Sequence, residues 1–208
     1  FLIKRFDEFD EIQWLDVLIT ISKLKQNNGI DFVVDKLDIL STDDESILLA
    51  KLSSLNIEFD QDVTRIFRDR FESCEKIELK IAYLRLLCSG ERKVAVPTII
   101  DSLSNCPEAL ITEAIQALIR LRLHAQIPSS SLTRYSSSSH YGLSCAAAQV
   151  YALNYITDKD KESLKVGIRI ISFLMNEESK EAKLAAIKAA HNFDSDPRIV
   201  DWIGSMLI

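Results

Sequence analysis

The stretch Ala95–Leu121, AVPTIIDSLSNCPEALITEAIQALIRL, decides the fold. Its second half holds Leu110, Ala114 and Ala117 four and three residues apart, which places them on one face of a helix. The same i, i+4, i+7 pattern occurs upstream as Val17, Ile21, Leu24, then Leu48, Leu52, Leu55, then Leu79, Tyr83, Leu86. Downstream it returns as Leu143, Ala147, Val150 and as Ala182, Ala186, Ala189. Successive first positions are separated by 31, 31, 31, 33 and 39 residues, and a period in this range marks a solenoid of stacked units.

Second apolar segments alternate with these helices: GIDFVVDKLDIL, DVTRIFRDRF, VAVPTIIDSL, the weaker IPSSSLTRY, ESLKVGIRIISFL and PRIVDWIGSMLI. Each repeat is therefore expected to be a helical hairpin. Pro107, Pro128 and Pro197 suit a first helical position, and Asp60 and Asp196 suit N-caps. The segment KIELKIAYLRLL also alternates apolar and charged residues as a strand would, but its place in the 31-residue register predicts a helix. The alanines of the later repeats, Ala114, Ala117, Ala146 to Ala148, Ala185, Ala186, Ala189 and Ala190, let neighbouring helices approach closely.

Composition agrees with an all-α chain. Of 208 residues 47% are hydrophobic, while only five are glycine and four proline, few for a β protein with many tight turns. A net charge of −6 disfavours nucleic acid and anionic membrane, and no apolar run approaches the roughly 20 residues needed to cross a bilayer. The chain is expected to be soluble. Cys74, Cys88, Cys106 and Cys145 form no C-x-x-C pair, which fits reduced thiols in the cytoplasm. The sequence opens on Phe1 without an initiator Met or targeting signal and is expected to be a piece of a longer protein.

VAVPTIIDSLSNCPEALITEAIQALIRL, with its valine-proline first helix, short turn and alanine-rich second helix, resembles the short HEAT-like repeat of the phycobilisome-lyase type. SKEAKLAAIKAAHNFDSDPRIV resembles it as well. The resemblance is clearer over residues 92–208 than over 1–91, where leucines replace alanines. It implies a right-handed α-α superhelix of about six hairpins, forming a single domain over 1–208, with the second helices lining the concave side. It implies an architecture and not an activity.

Chemistry is sparse in the sequence. The HEAT-like deoxyhypusine hydroxylases hold iron with His-Glu pairs, whereas His124, His140 and His191 here precede Ala, Tyr and Asn. No metal or other cofactor is expected. The run SSSLTRYSSSSHYGLSC sets His140 near Cys145, yet no nucleophile motif frames them, and its serines read as a first helix decayed into a loop or a phosphorylation target. Acidic clusters such as STDDES read as helix N-termini. Trp14 and Trp202, in the first and last helices, are expected to cover the ends of the stack.

If positions one, five and eight of each second helix face inward, positions four, seven and eleven form a second, outward face. Position seven reads Lys23, Ser54, Arg85, Gln116, Gln149 and Lys188. Position four reads Thr20, Lys51, Ala82, Glu113, Ala146 and Ala185, and position eleven Asn27, Glu58, Ser89, Arg120, Leu153 and Asn192. Five basic and two acidic residues make this face positive on an acidic chain.

The reading is a non-catalytic scaffold that binds an acidic segment of a partner protein through Lys23, Lys51, Arg85, Gln116, Arg120, Gln149 and Lys188. Two alternatives follow from the resemblance: a nucleic-acid binder like the alkylpurine DNA glycosylases, which the net charge opposes, and a chaperone like the bilin lyases.

Overall fold

The computed structural model describes residues 3–23, 27–55, 57–104 and 106–191. Among them are eleven α-helices and three short 3-10 turns. They run α1 (Glu11–Lys23), α2 (Asn27–Asp35), α3 (Thr42–Ser54), α4 (Gln61–Ser73), α5 (Ile77–Leu87), α6 (Arg92–Asp101), α7 (Glu108–Arg120), α8 (Ser129–Ser136), α9 (Tyr141–Asp158), α10 (Lys161–Asn176) and α11 (Lys180–His191). No strand occurs among the described residues, and KIELKIAYLRLL is helical as α5. No helix there is long and apolar enough to cross a membrane.

The chain divides into two compact units, Phe1–Asp101 and Ser102–Ile208, each with its own packing. In the first, α3 lies between α1 and α5, and α4 lies between α2 and α6. Within this unit α1, α3 and α5 carry the i, i+4, i+7 pattern and stack as one layer, while α2, α4 and α6 form the other. The repeat dictates this, because no single hairpin can bury its own apolar stripe. Leu48, Leu52, Leu79, Tyr83 and Leu86 are all buried, and each large side chain contributes about 1.5–3 kcal/mol by leaving water.

In the second unit α9 packs against α7 on one side and α11 on the other, with α8 and α10 behind it. Here the same register is filled by smaller residues. Ala114, Ala117, Ala147, Val150, Ala182, Ala186 and Ala189 are fully buried. Short side chains bring the helix axes together, and Ile170, Ile171 and Leu174 of α10 fill the remaining space behind α9 and α11.

Local chemistry sets the helix ends. Asp60 caps α4 by accepting from the Asp62 and Val63 amides at 3.0 and 2.9 Å, and Asp160 caps α10 in the same way. STDDES starts α3, with Ser41 as the cap and Asp43, Asp44 and Glu45 in the first turn. Pro107 and Pro128 occupy the cap position, one residue before the expected site, where the missing N–H leaves no intrahelical donor unpaired. Trp14 stacks on Phe6 at 5.8 Å and donates from its indole N–H to the Phe9 carbonyl at 3.1 Å. Pro197, Asp196, Trp202 and Asn192 lie outside the described residues.

One expectation is corrected. The serine run is no loop at its start: Ser129–Ser136 forms the eight-residue α8. Leu132 and Tyr135, one turn apart, are buried and anchor it, and the Tyr135 hydroxyl donates to the Leu103 carbonyl. Thr133 and Ser136 return their hydroxyls to the Ser129 and Thr133 carbonyls at 3.0 and 2.8 Å, so these polar groups find partners within the helix.

Candidate partner-binding groove

Residues at equivalent positions of α7, α9 and α11 come together in the second unit. Gln116, Gln149 and Lys188 share position seven, and the Gln116 side-chain amide donates to the Gln149 carbonyl oxygen, joining α7 to α9. One step back in the register are Thr112, Cys145 and Leu184. A further turn back are Tyr141 and Gly142 of α9 and Glu181 of α11. Together these rows line a groove of about 480 Å³.

Two small residues of α9, Gly142 and Cys145, lie in the lining between the longer side chains of α7 and α11. Gly142 and Cys145 form the floor, and a Cβ on Gly142 would approach the His140 ring to 3.0 Å. Gln116 on one wall, and Leu184 and Lys188 on the other, rise past them. Leu184 is 49% exposed, a large apolar side chain at the rim.

Its electrostatics are two-ended. Glu181 stands in the first turn of α11 and Lys188 in the last, each at the helix end whose dipole favours its charge. A hydrogen bond from the Ser179 hydroxyl at 2.6 Å, followed by a backbone one, holds the Glu181 carboxyl below its usual range. At the floor, burial pushes the Cys145 thiol up to about 11, against the opposing pull of the Lys188 ammonium. The thiol is therefore protonated at neutral pH and a poor nucleophile. His140 is engaged as the cap of α9, its Nδ1 accepting from the Leu143 amide at 3.1 Å. Among the described residues no cluster of His, Cys, Asp or Glu could hold a metal ion.

The expected outward face is only partly outward. Arg85 of α5 and Lys51 of α3 are exposed on the first unit, and Arg120 and Lys188 on the second. Lys23 closes α1, with its side chain outside those described. Ala82, Ala146 and Ala185 at position four are buried instead, because adjacent helices pack across an arc wider than a three-residue stripe. Glu58 and Ser89 at position eleven fall past the ends of α3 and α5.

Glu113 and Gln116, expected to be exposed, are half-buried. Glu113 pairs with Arg120 at 2.6 Å, so part of the positive charge assigned to this face is already balanced. Sequence reasoning missed the contribution of Thr112, Tyr141, Glu181 and Leu184. The signal was available in the register, since 112, 145 and 184 stand at equal distances from the first positions 110, 143 and 182.

No family model matches the chain, and no curated protein matches it. Solved structures do. A designed armadillo repeat protein in complex with the peptide (KR)4 aligns with a TM-score of 0.52 at 13% identity, over 92% of this chain and 98% of its own. An engineered protein aligns with a TM-score of 0.49 at 13% identity, over 94% and 98%. The first likeness is one of fold, and the chain is an all-helical, armadillo-like repeat protein.

Proposed function

We propose that this chain is a non-catalytic scaffold of the short HEAT-like kind, which binds a partner protein through the exposed face of its second helices. The observation that carries this reading is the groove across α7, α9 and α11, an open trough with a buried, protonated thiol at its floor and no paired nucleophile and base. Repeat stacks present extended surfaces suited to chain segments, and the armadillo-like neighbour was solved with a peptide. That peptide is basic. On the second unit Gln116, Arg120, Gln149 and Lys188 favour a segment containing carboxylates, and on the first unit Lys51 and Arg85, with Lys23 by register, favour such a segment likewise. Cys74, Cys88, Cys106 and Cys145 form no disulfide among the described residues, which fits a reducing cytoplasm.

Individual exposed pairs contribute about 0–1 kcal/mol, so only several together set partner choice. The test is the variant Lys51→Glu, Arg85→Glu, Arg120→Glu in a binding experiment with a partner recovered by affinity capture and then purified. The association rate and its salt dependence are expected to fall together while the melting temperature holds. Unchanged association would remove the basic row from the reading.

A further inference from the structure

Glu181 and Lys188 both line the groove and lie seven residues apart on α11, about 10 Å along the helix axis. Between them the groove is lined by Cys145 and Leu184, with the joined amides of Gln116 and Gln149 at the Lys188 end. The sequence of surfaces is thus anion, apolar floor, cation with amides. An extended chain rises about 3.3 Å per residue and turns alternate side chains to one side, so residues i, i+2 and i+4 span about 13 Å on a single face. Flexible Glu and Lys side chains take up the difference from the helix spacing.

We infer that this groove binds an extended peptide segment carrying a cationic residue and a carboxylate residue four apart, with a small apolar residue midway between them. The inference rests on the scaffold reading and gives that site a ligand chemistry. The peptide cation faces Glu181, its carboxylate faces Lys188, and the central side chain sits on Cys145 beside Leu184. The Gln116 amide gives one N–H to Gln149, leaving its carbonyl and the Gln149 NH2 group as the complementary pair for a peptide bond. A purely acidic segment would meet Glu181 unfavourably, so the groove is more selective than a positive surface. Either chain direction satisfies the pattern.

Three fluorescein-labelled peptides test this by fluorescence anisotropy: Gly-Gly-Glu-Ser-Val-Ser-Lys-Gly-Gly, its analogue with Glu in place of Lys, and its analogue with Lys in place of Glu. The wild-type chain is expected to bind the mixed peptide about fivefold more tightly than either analogue, the upper end for one exposed ion pair. Lys188→Glu should move the preference to the doubly basic peptide, and Glu181→Lys to the doubly acidic one. Both changes are at exposed positions, and retained helicity and melting would show that the folds are intact. A third variant, Gly142→Leu, should fill the floor and weaken all three peptides.

Absence of saturable binding, or a preference that neither reversal moves, would overturn the inference. That failure is distinct from failure of the scaffold reading, since the partner experiment reverses Lys51, Arg85 and Arg120 and leaves Glu181 and Lys188 intact. Loss of partner binding there with no peptide binding here would discard the groove's ligand alone.

Discussion

The Tyr83 hydroxyl donates to the Glu45 carboxylate, tying the centre of α5 to the first turn of α3 across 38 residues of sequence. Arg70 of α4 adds a cation, 3.7 Å from Glu45 and 2.9 Å from Asp38. Three helices of the first unit thus meet at one polar cluster in an otherwise apolar layer. Burial, reinforced by the Glu45 hydrogen bond and charge, raises the Tyr83 pKa well above that of an ordinary phenol.

Tyr83→Phe should cost about 1.5–3 kcal/mol, the range for a hydrogen bond to a charged group, as read by denaturant unfolding. The wild-type chain should also lose stability as pH rises above about 10. There the unfolded phenol ionises while the folded one stays protonated, and because the folded value is the raised one the stabilisation is lost on the alkaline side. The phenylalanine variant has no phenol to ionise at this position, so the gap between the two proteins should narrow with rising pH.

Gly90→Ala should destabilise the first unit by about 1–3 kcal/mol through overpacking. A Cβ there would lie 2.6 Å from the Thr64 methyl and 2.7 Å from its hydroxyl oxygen. Thr64 cannot simply rotate away, since that oxygen accepts from the Glu91 amide at 2.9 Å and its hydroxyl donates to the Asp60 carbonyl. In a double-mutant cycle, Thr64→Ala should reduce the cost of Gly90→Ala. Strict additivity in thermal melts would show that the turn shifts instead.

Ala114→Arg should cost several kcal/mol, at the severe end of single substitutions, by placing a long cation at a position with no exposed surface. The Arg side chain would have to enter the packed seam of α7, where Leu110 and Ala117 are also buried. Unchanged melting would mean that the helical register of α7 is misassigned.

Asp160 caps α10, accepting from the Glu162 and Ser163 amides at 3.0 and 3.3 Å and from the Ser163 hydroxyl at 2.6 Å. The Ser163 hydroxyl, ahead of the backbone bonds, holds its carboxyl below the usual value. A lowered folded-state pKa stabilises the fold above the unfolded-chain value of 3.8 and ceases to do so as pH falls through the lowered one. Asp160→Ala should therefore melt earlier than wild type at neutral pH, and the difference should shrink on acidification through that window. A constant difference down to strong acid would mean that the carboxylate is not the stabilising form.

The sequence already holds the helical period and the core-facing stripe of six helices, though not the burial of the neighbouring Ala82, Ala146 and Ala185. Val17, Leu48, Leu79, Leu110, Leu143 and Ala182 head the same stripe in six helices, and burial follows because apolar residues three and four apart cannot all reach water while the helix packs. It determined the caps for a similar reason: Asp60 acts on amides two and three residues away. The serine-rich helix was less legible, since Leu132 and Tyr135 are anchored from outside it, Tyr135 through the distant Leu103 carbonyl. The site depends on packing between helices. Whether Glu113 faces a partner or Arg120, whether Gln116 meets Gln149, and whether Gly142 and Cys145 become a floor depend on how closely neighbouring helices approach. That distance is set by side chains from three helices together, and a periodicity read along one helix does not contain it.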